Sequence, residues 1–322
     1  VVCCDSLSIN LFKALTACLE LNEGRSLITL EDGQFPTDSY IADGLSQLLG
    51  ADRCRTQAVD IAALAPETLS ESAALLLSHI DYKSGALRDM DAITAMAQSV
   101  GCLVIWDLAH SAGAIDMNLE ASQVDFAVGC TYKFLNGGPG APGFLYIAGR
   151  HQEVQNPLPG WMGHARLFDF EAKYEAAPGI KRFLTGTQSV LALSAVNASL
   201  SVFEGLAMQD VRARSLALTG HFIARWEQSS VLQSHAALVT PIDDAQRGSQ
   251  VSLALESAFP VSQALIADGV IVDFREPNIV RFGFSPLYNT FSDADQAIAS
   301  LEAVLTSERY RLPQFQIRST VT

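Results

Sequence analysis

The chain has 322 residues, 49% of them apolar and 17% charged, enough to bury a large core and to suggest one big domain with a smaller one. Acidic residues outnumber basic ones 35 to 21, a formal net charge of −14, which argues against a nucleic-acid partner because a phosphate backbone needs clustered Lys and Arg. No stretch approaches the roughly 18 uninterrupted apolar residues of a membrane span, and "VVCCDSLSIN" lacks the charged head and cleavage site of a signal peptide, so the expectation is a cytoplasmic protein with no membrane partner.

In chain order, "DSLSINLFKAL" reads as a polar turn entering a helix. Its first N–H groups and positive dipole end suit a phosphate, although Ser8 there is equally read as an ordinary helix cap. "SLITLED" follows as a strand. "FPTD" marks a turn at Pro36, and "DSYIADGLSQLLG" carries apolar residues at threes and fours and ends in glycine, as a crossover helix does. "AALLLSHI", "CLVIWDLAH", "DFAVGCT" and "GFLYIAG" read as strands with mostly both faces buried, and "RDMDAITAMAQSVG" as a further crossover helix. This is the α/β pattern of a mainly parallel, doubly wound sheet. Cys3, Cys4, Cys18, Cys54, Cys102 and Cys130 show no metal-ligand spacing and lie in apolar surroundings, so reduced thiols are expected, with no disulfide and no metal site.

Beyond residue 150 the pattern loosens into "NPLPGWMGHARLFDFEAKYEAAPG", which reads as ordered loop. Residues 187–228 read as a long helical stretch. "QVSLAL", "VIVDFREPNIVRFGF" and the helix "DADQAIASLEAVLTSE" complete a smaller α+β part, giving domains over 1–200 and 201–322.

Asp107 closes the most apolar predicted strand, where ligands of open α/β sheets bind, though such an Asp is often only a helix N-cap. His110 nearby is equally read as a hydrogen-bonded core residue. Lys133, in "CTYKFLNGGPG", ends the next predicted strand ahead of glycines that let backbone approach a ligand closely. A lysine there can form a Schiff base while a carboxylate one strand away keeps a pyridinium nitrogen protonated, the pairing that pyridoxal phosphate needs; a surface lysine is the plain alternative. Arg281 stands in the otherwise apolar run "NIVRFGF" and requires an anionic partner, either a substrate carboxylate or an internal salt bridge.

With "DSLSINLFKAL", "FPTDSYIADGL", "IWDLAHSAGA", "GCTYKFLNGGPG", "GWMGH", "LTGTQ", "RFGFSPLYNTF" and "FQIRSTVT" in this order, the chain resembles the kynureninase family over essentially its whole length. These are pyridoxal-phosphate enzymes of the aminotransferase class V group, with the fold type I architecture of a mainly parallel large domain and a smaller α+β domain. The resemblance implies hydrolytic Cβ–Cγ cleavage of L-kynurenine, or 3-hydroxykynurenine, to anthranilate or 3-hydroxyanthranilate and L-alanine, in tryptophan catabolism. It implies that Lys133 carries pyridoxal 5'-phosphate, Asp107 partners the ring nitrogen, His110 supports that contact, and Tyr132 binds phosphate and donates a proton. Leu7, Ser8, Phe35 (stacked on the ring), Asp38, Ser78 and Trp161 (its indole N–H toward the phosphate) would be further cofactor residues. Thr187 would reach the phosphate across a homodimer interface with shared active sites, and Arg281 would grip the α-carboxylate of the amino-acid substrate.

Family members usually carry about ninety further residues before the segment equivalent to "VVCCDSLSIN". Their absence motivates an alternative, a catalytically silent truncated paralogue. A cysteine desulfurase needs a nucleophilic cysteine well after the lysine, and this chain has none beyond Cys130. A generic class V aminotransferase is the remaining rival.

Overall fold

The structure is a computed structural model that describes residues 1–318, so the last four residues of "FQIRSTVT" lie outside it. The chain divides into two compact units. The first comprises Val1–His79, Arg88–Ala112 and Met117–Gly205, and the second Ile80–Leu87, Gly113–Asp116 and the described residues from Leu206 onward.

The first unit is built on a seven-stranded sheet: β1 (Val2–Cys3), β2 (Leu27–Glu31), β3 (Arg55–Val59), β4 (Ser72–Ser78), β5 (Leu103–Asp107), β6 (Phe126–Cys130) and β7 (Gly143–Ile147). The spatial order is β1-β7-β6-β5-β4-β2-β3. Strands β3, β2, β4, β5 and β6 run parallel, β7 is antiparallel to β6, and β1 pairs antiparallel with β7 and so runs with the other five. The apolar runs of β2, β4 and β6 are buried along their whole length, as strands covered on both faces must be. Alternation along them feeds two cores. Leu76, Ile105 and Val128 face helix α1 (Leu7–Leu21), while Leu77, Trp106 and Ala127 face the helix Met90–Ser99 side. The single indole N–H of fully buried Trp106 is satisfied by Thr94 Oγ1 at 3.0 Å.

Parallel register sets the ends of neighbouring strands level. Ser78 is the partner of Asp107, and Asp107 is the partner of Val128, so the carboxyl ends of β4, β5 and β6 form one edge. Helix α2 (Pro36–Leu49) begins at the carboxyl edge of β2, after a turn in which Gly33 takes φ +73°.

The second unit holds the sheet β10-β11-β9-β8, with β8 (Ala237–Leu238), β9 (Gln250–Ala254), β10 (Asp273–Arg275) and β11 (Ile279–Gly283) all antiparallel. Helices Met208–Gln228, Ala258–Ala267 and Phe291–Thr306 cover it, and Phe222 meets Phe282 at 4.7 Å between ring centroids. The reading of 187–228 as one helical stretch is corrected. Helix Val190–Leu200 passes into a short 3-10 turn and stops, because Gly205 adopts φ +79°, and a new helix starts at Met208. Among the described residues no single helix is long and apolar enough to cross a membrane.

Candidate active site

Most of the residues singled out in the sequence meet at the carboxyl edge of the first sheet. Asp107 is 5% exposed and accepts one hydrogen bond, from the Ala109 N–H at 2.8 Å, the short Asx-type contact of a strand end. Burial raises its pKa to about 6, against the opposing pull of that N–H and of the Lys133 charge. Asp38, in the first turn of α2, is 0% exposed, and neither of its oxygens has a hydrogen-bond partner among the described residues. Its pKa is pushed well up by burial and by Asp107, with Lys133 pulling the other way.

Strand β6 ends at Cys130, so Lys133 stands three residues further on, in the turn. Its Nζ lies 3.3 Å from His110 Nε2, 6.0 Å from the centroid of the Phe35 ring and 5.8 Å from that of Tyr132. Tyr132 is 48% exposed, and partial burial with Cys130 beside it lifts its phenol to about 12. Ser78 is buried at the end of β4, level with Asp107.

The glycines after Lys133 act differently from the reading given above. A Cβ on Gly137 would press on the Thr131 carbonyl at 2.9 Å, and Gly138 and Gly140 take φ +77° and +80°. They fold the turn onto its own backbone. The glycine that makes room beside the site is Gly143, register partner of Cys130. A Cβ there would come within 2.7 Å of the Leu7 nitrogen, so its absence lets the start of α1 abut the end of β6. The cap of α1 is Ser6, whose Oγ accepts from Ile9 N at 3.3 Å; the reading of Ser8 as the cap is corrected, and Leu7 and Ser8 occupy the first turn, where helix N–H groups point outward.

Trp161 departs from the expectation, and Thr187 lies on the surface of this single chain. The Trp161 indole N–H donates to the Leu167 carbonyl rather than outward, and its ring stacks on Phe170. Thr187 is exposed on the segment ahead of the helix Val190–Leu200. Arg281 belongs to the second unit, where the internal ion pair is what forms. Its Nε and Nη2 donate to Asp273 at 2.9 and 2.5 Å, and Nη1 donates to the Tyr82 carbonyl at 2.6 Å. Burial lowers its pKa, opposed chiefly by Asp273.

Several polar groups of this edge escaped the sequence reading. Gln34, next to Phe35, is buried with neither amide atom hydrogen-bonded among the described residues, and the Ser111 hydroxyl is in the same condition. Glu31, at the end of β2, is buried in an ion pair with Arg88. A polar residue in a turn carries no sequence mark of facing inward; only its position beside the "FPTD" aromatic hinted at Gln34.

These groups decide what fits. An unpaired buried carboxylate costs several kcal/mol, on the order of the whole stability of a small domain, unless a donor arrives. Two buried carboxylates face one lysine, so the missing partner is cationic or a strong N–H donor. The pyridinium of pyridoxal phosphate meets that requirement, Phe35 offers its ring a flat face, the first turn of α1 suits its phosphate, and Lys133 suits its aldehyde.

A family model described as the kynureninase C-terminal domain matches residues 211–301. Kynureninase of Pseudomonas fluorescens is 44% identical over 328 residues, covering 100% of this chain and 78% of the relative. Kynureninase of Burkholderia mallei strain SAVP1 is 44% identical over 324 residues, 99% of this chain and 77% of the relative. Among solved structures, the apo cysteine desulfurase of Thermococcus onnurineus NA1 superposes with a TM-score of 0.80 over 95% of this chain and 79% of that one, at 17% identity. At that identity the likeness speaks for the fold alone, the fold type I architecture.

Proposed function

Because the chain belongs to the kynureninase family, we propose that it uses pyridoxal 5'-phosphate to hydrolyse L-kynurenine, or its 3-hydroxy derivative, to anthranilate or 3-hydroxyanthranilate and L-alanine. The observation that carries this reading is the orphaned carboxyl group of Asp38 beside Asp107 and Lys133, a buried acidic pair whose charged form a cationic ring would stabilise.

When bound, the cofactor supplies the electron sink that makes the Cα proton of an amino acid acidic. The residues provide the rest. Asp107, buried and with the Ala109 N–H as its donor among the described residues, would hold the ring nitrogen in its protonated form. Lys133 would hold the aldehyde, and its amine, when free, would take the Cα proton. His110 Nε2, 3.3 Å away, steadies that amine. Water adds to the γ-carbonyl of the substrate, the Cβ–Cγ bond breaks, and the aromatic carboxylate leaves. The Tyr132 phenol, protonated at neutral pH as tyrosines are, is available as a proton donor toward the alanine carbon. Arg281 receives the substrate's α-carboxylate.

The assembly in this reading is a homodimer. The eleven-residue helix Val190–Leu200 buries only Val196, and Leu191 is 85% exposed, an apolar face that a second subunit would cover just beyond Thr187. Mixing purified protein with pyridoxal phosphate and L-kynurenine tests the function. Equimolar anthranilate and alanine are expected; bound cofactor without product would instead favour a catalytically silent relative.

A further inference from the structure

We propose that Asp273 is a positioning residue that fixes the guanidinium of Arg281 for the substrate's carboxylate, an inference that rests on the reading of Arg281 given above. The sheet itself imposes the pairing. Asp273 and Arg281 are direct partners in the antiparallel register of β10 and β11, so their side chains leave the same face. The contact is a side-on fork, with Nε to Oδ1 at 2.9 Å and Nη2 to Oδ2 at 2.5 Å, and Nη1 is held by the Tyr82 carbonyl at 2.6 Å. A strand and a backbone carbonyl thus restrain three nitrogens of one planar group, which removes the side-chain freedom that carboxylate binding would otherwise have to freeze.

A second guanidinium on the same carboxylate separates this from a simple ion pair that only ties two strands together. Arg275, two residues along β10 and on the same face as Asp273, donates to the same Oδ2 at 3.1 Å. Two guanidiniums share this one carboxylate, and Asp81 is the further acidic group that acts on Arg281. Asp273 offsets the cost of burying Arg281, which is 8% exposed, while dividing its own charge between two guanidiniums.

The test uses the cofactor-loaded enzyme and the variants Asp273→Asn, Asp273→Glu and Arg281→Lys. It measures kcat and KM for L-kynurenine, and calorimetric binding of L-alanine against L-alaninamide, which lacks the carboxylate. Asp273→Asn is expected to raise KM and the L-alanine dissociation constant about tenfold, the loss of roughly one charge-assisted hydrogen bond. It should leave kcat within about twofold and L-alaninamide binding unchanged. Asp273→Glu should recover part of the affinity. If Arg281→Lys weakens L-alanine binding while Asp273→Asn lowers only the melting temperature, the positioning role is overturned and the reading of Arg281 stands. If Arg281→Lys leaves L-alanine binding unchanged, the reading of Arg281 itself fails.

Discussion

Asp107 closes β5 at the carboxyl edge of the seven-stranded sheet, and Asp125 stands just before β6 at the amino edge; they are 5% and 1% exposed. Asp125 accepts from Val104 N at 3.0 Å, Gln98 Nε2 at 3.0 Å, Arg150 Nη2 at 2.8 Å and His151 Nε2 at 2.8 Å. Those donors overcome burial and lower its pKa. Asp107 has one backbone donor and a raised pKa, and its neighbour Asp38 has none among the described residues. One sheet thus buries two carboxylates of identical chemistry under opposite conditions. The amino edge is complete in itself and serves stability, whereas the carboxyl edge is incomplete until something binds.

The largest expected effect comes from removing the anchor of the incomplete edge. Lys133→Ala should lower kynurenine turnover by more than about a thousandfold, with the fold intact by circular dichroism. Asp107→Asn comes next. Anthranilate release should fall about a hundredfold or more, yet the cofactor-free variant should melt at a higher temperature than the parent, since a desolvated charge has been removed. Asp125→Asn should do the reverse, costing about 3 kcal/mol in denaturant unfolding by leaving Arg150 and His151 without their carboxylate, while turnover per folded molecule stays near the parent's. A drop in turnover as large as that of Asp107→Asn would erase the contrast.

The smallest effect is a difference in pH slope. The folded pKa of Asp107 lies above its ordinary 3.8, so its contribution to the stability of the cofactor-free protein is full below about pH 4 and lost as the pH rises through about 6. Asp125, with a lowered pKa, contributes above 3.8 and loses that contribution as the pH falls. Denaturant midpoints of the cofactor-free protein should therefore steepen upward between about pH 4 and 6 in Asp107→Asn, whereas Asp125→Asn should leave that range unchanged and lose part of the parent's fall in stability below about pH 3.8.

Much of this was legible in the sequence, for reasons that differ by residue. Asp107 and Lys133 could be read because strand ends are marked by where apolar runs stop, and a parallel sheet brings those ends to one edge. The antiparallel direction of β7 was not legible, since a short buried run has no directional signal. Nor were β3, an edge strand with an exposed and weakly patterned "RTQAV", or the break at Gly205 inside an apolar, helix-rich stretch. Leu7, Ser8 and Phe35 came from resemblance, and their environment from the fold. Gln34 and the donors of Asp125 depend on which way a polar side chain turns, which only packing decides.

The central claim is that the carboxyl edge is completed by pyridoxal phosphate on Lys133. Borohydride reduction of the protein with one equivalent of the cofactor, followed by peptide mapping, tests it most directly. A single pyridoxyl adduct on Lys133, lost in Lys133→Ala, is the result expected. A stoichiometric adduct on another lysine, unchanged in that variant, would contradict it.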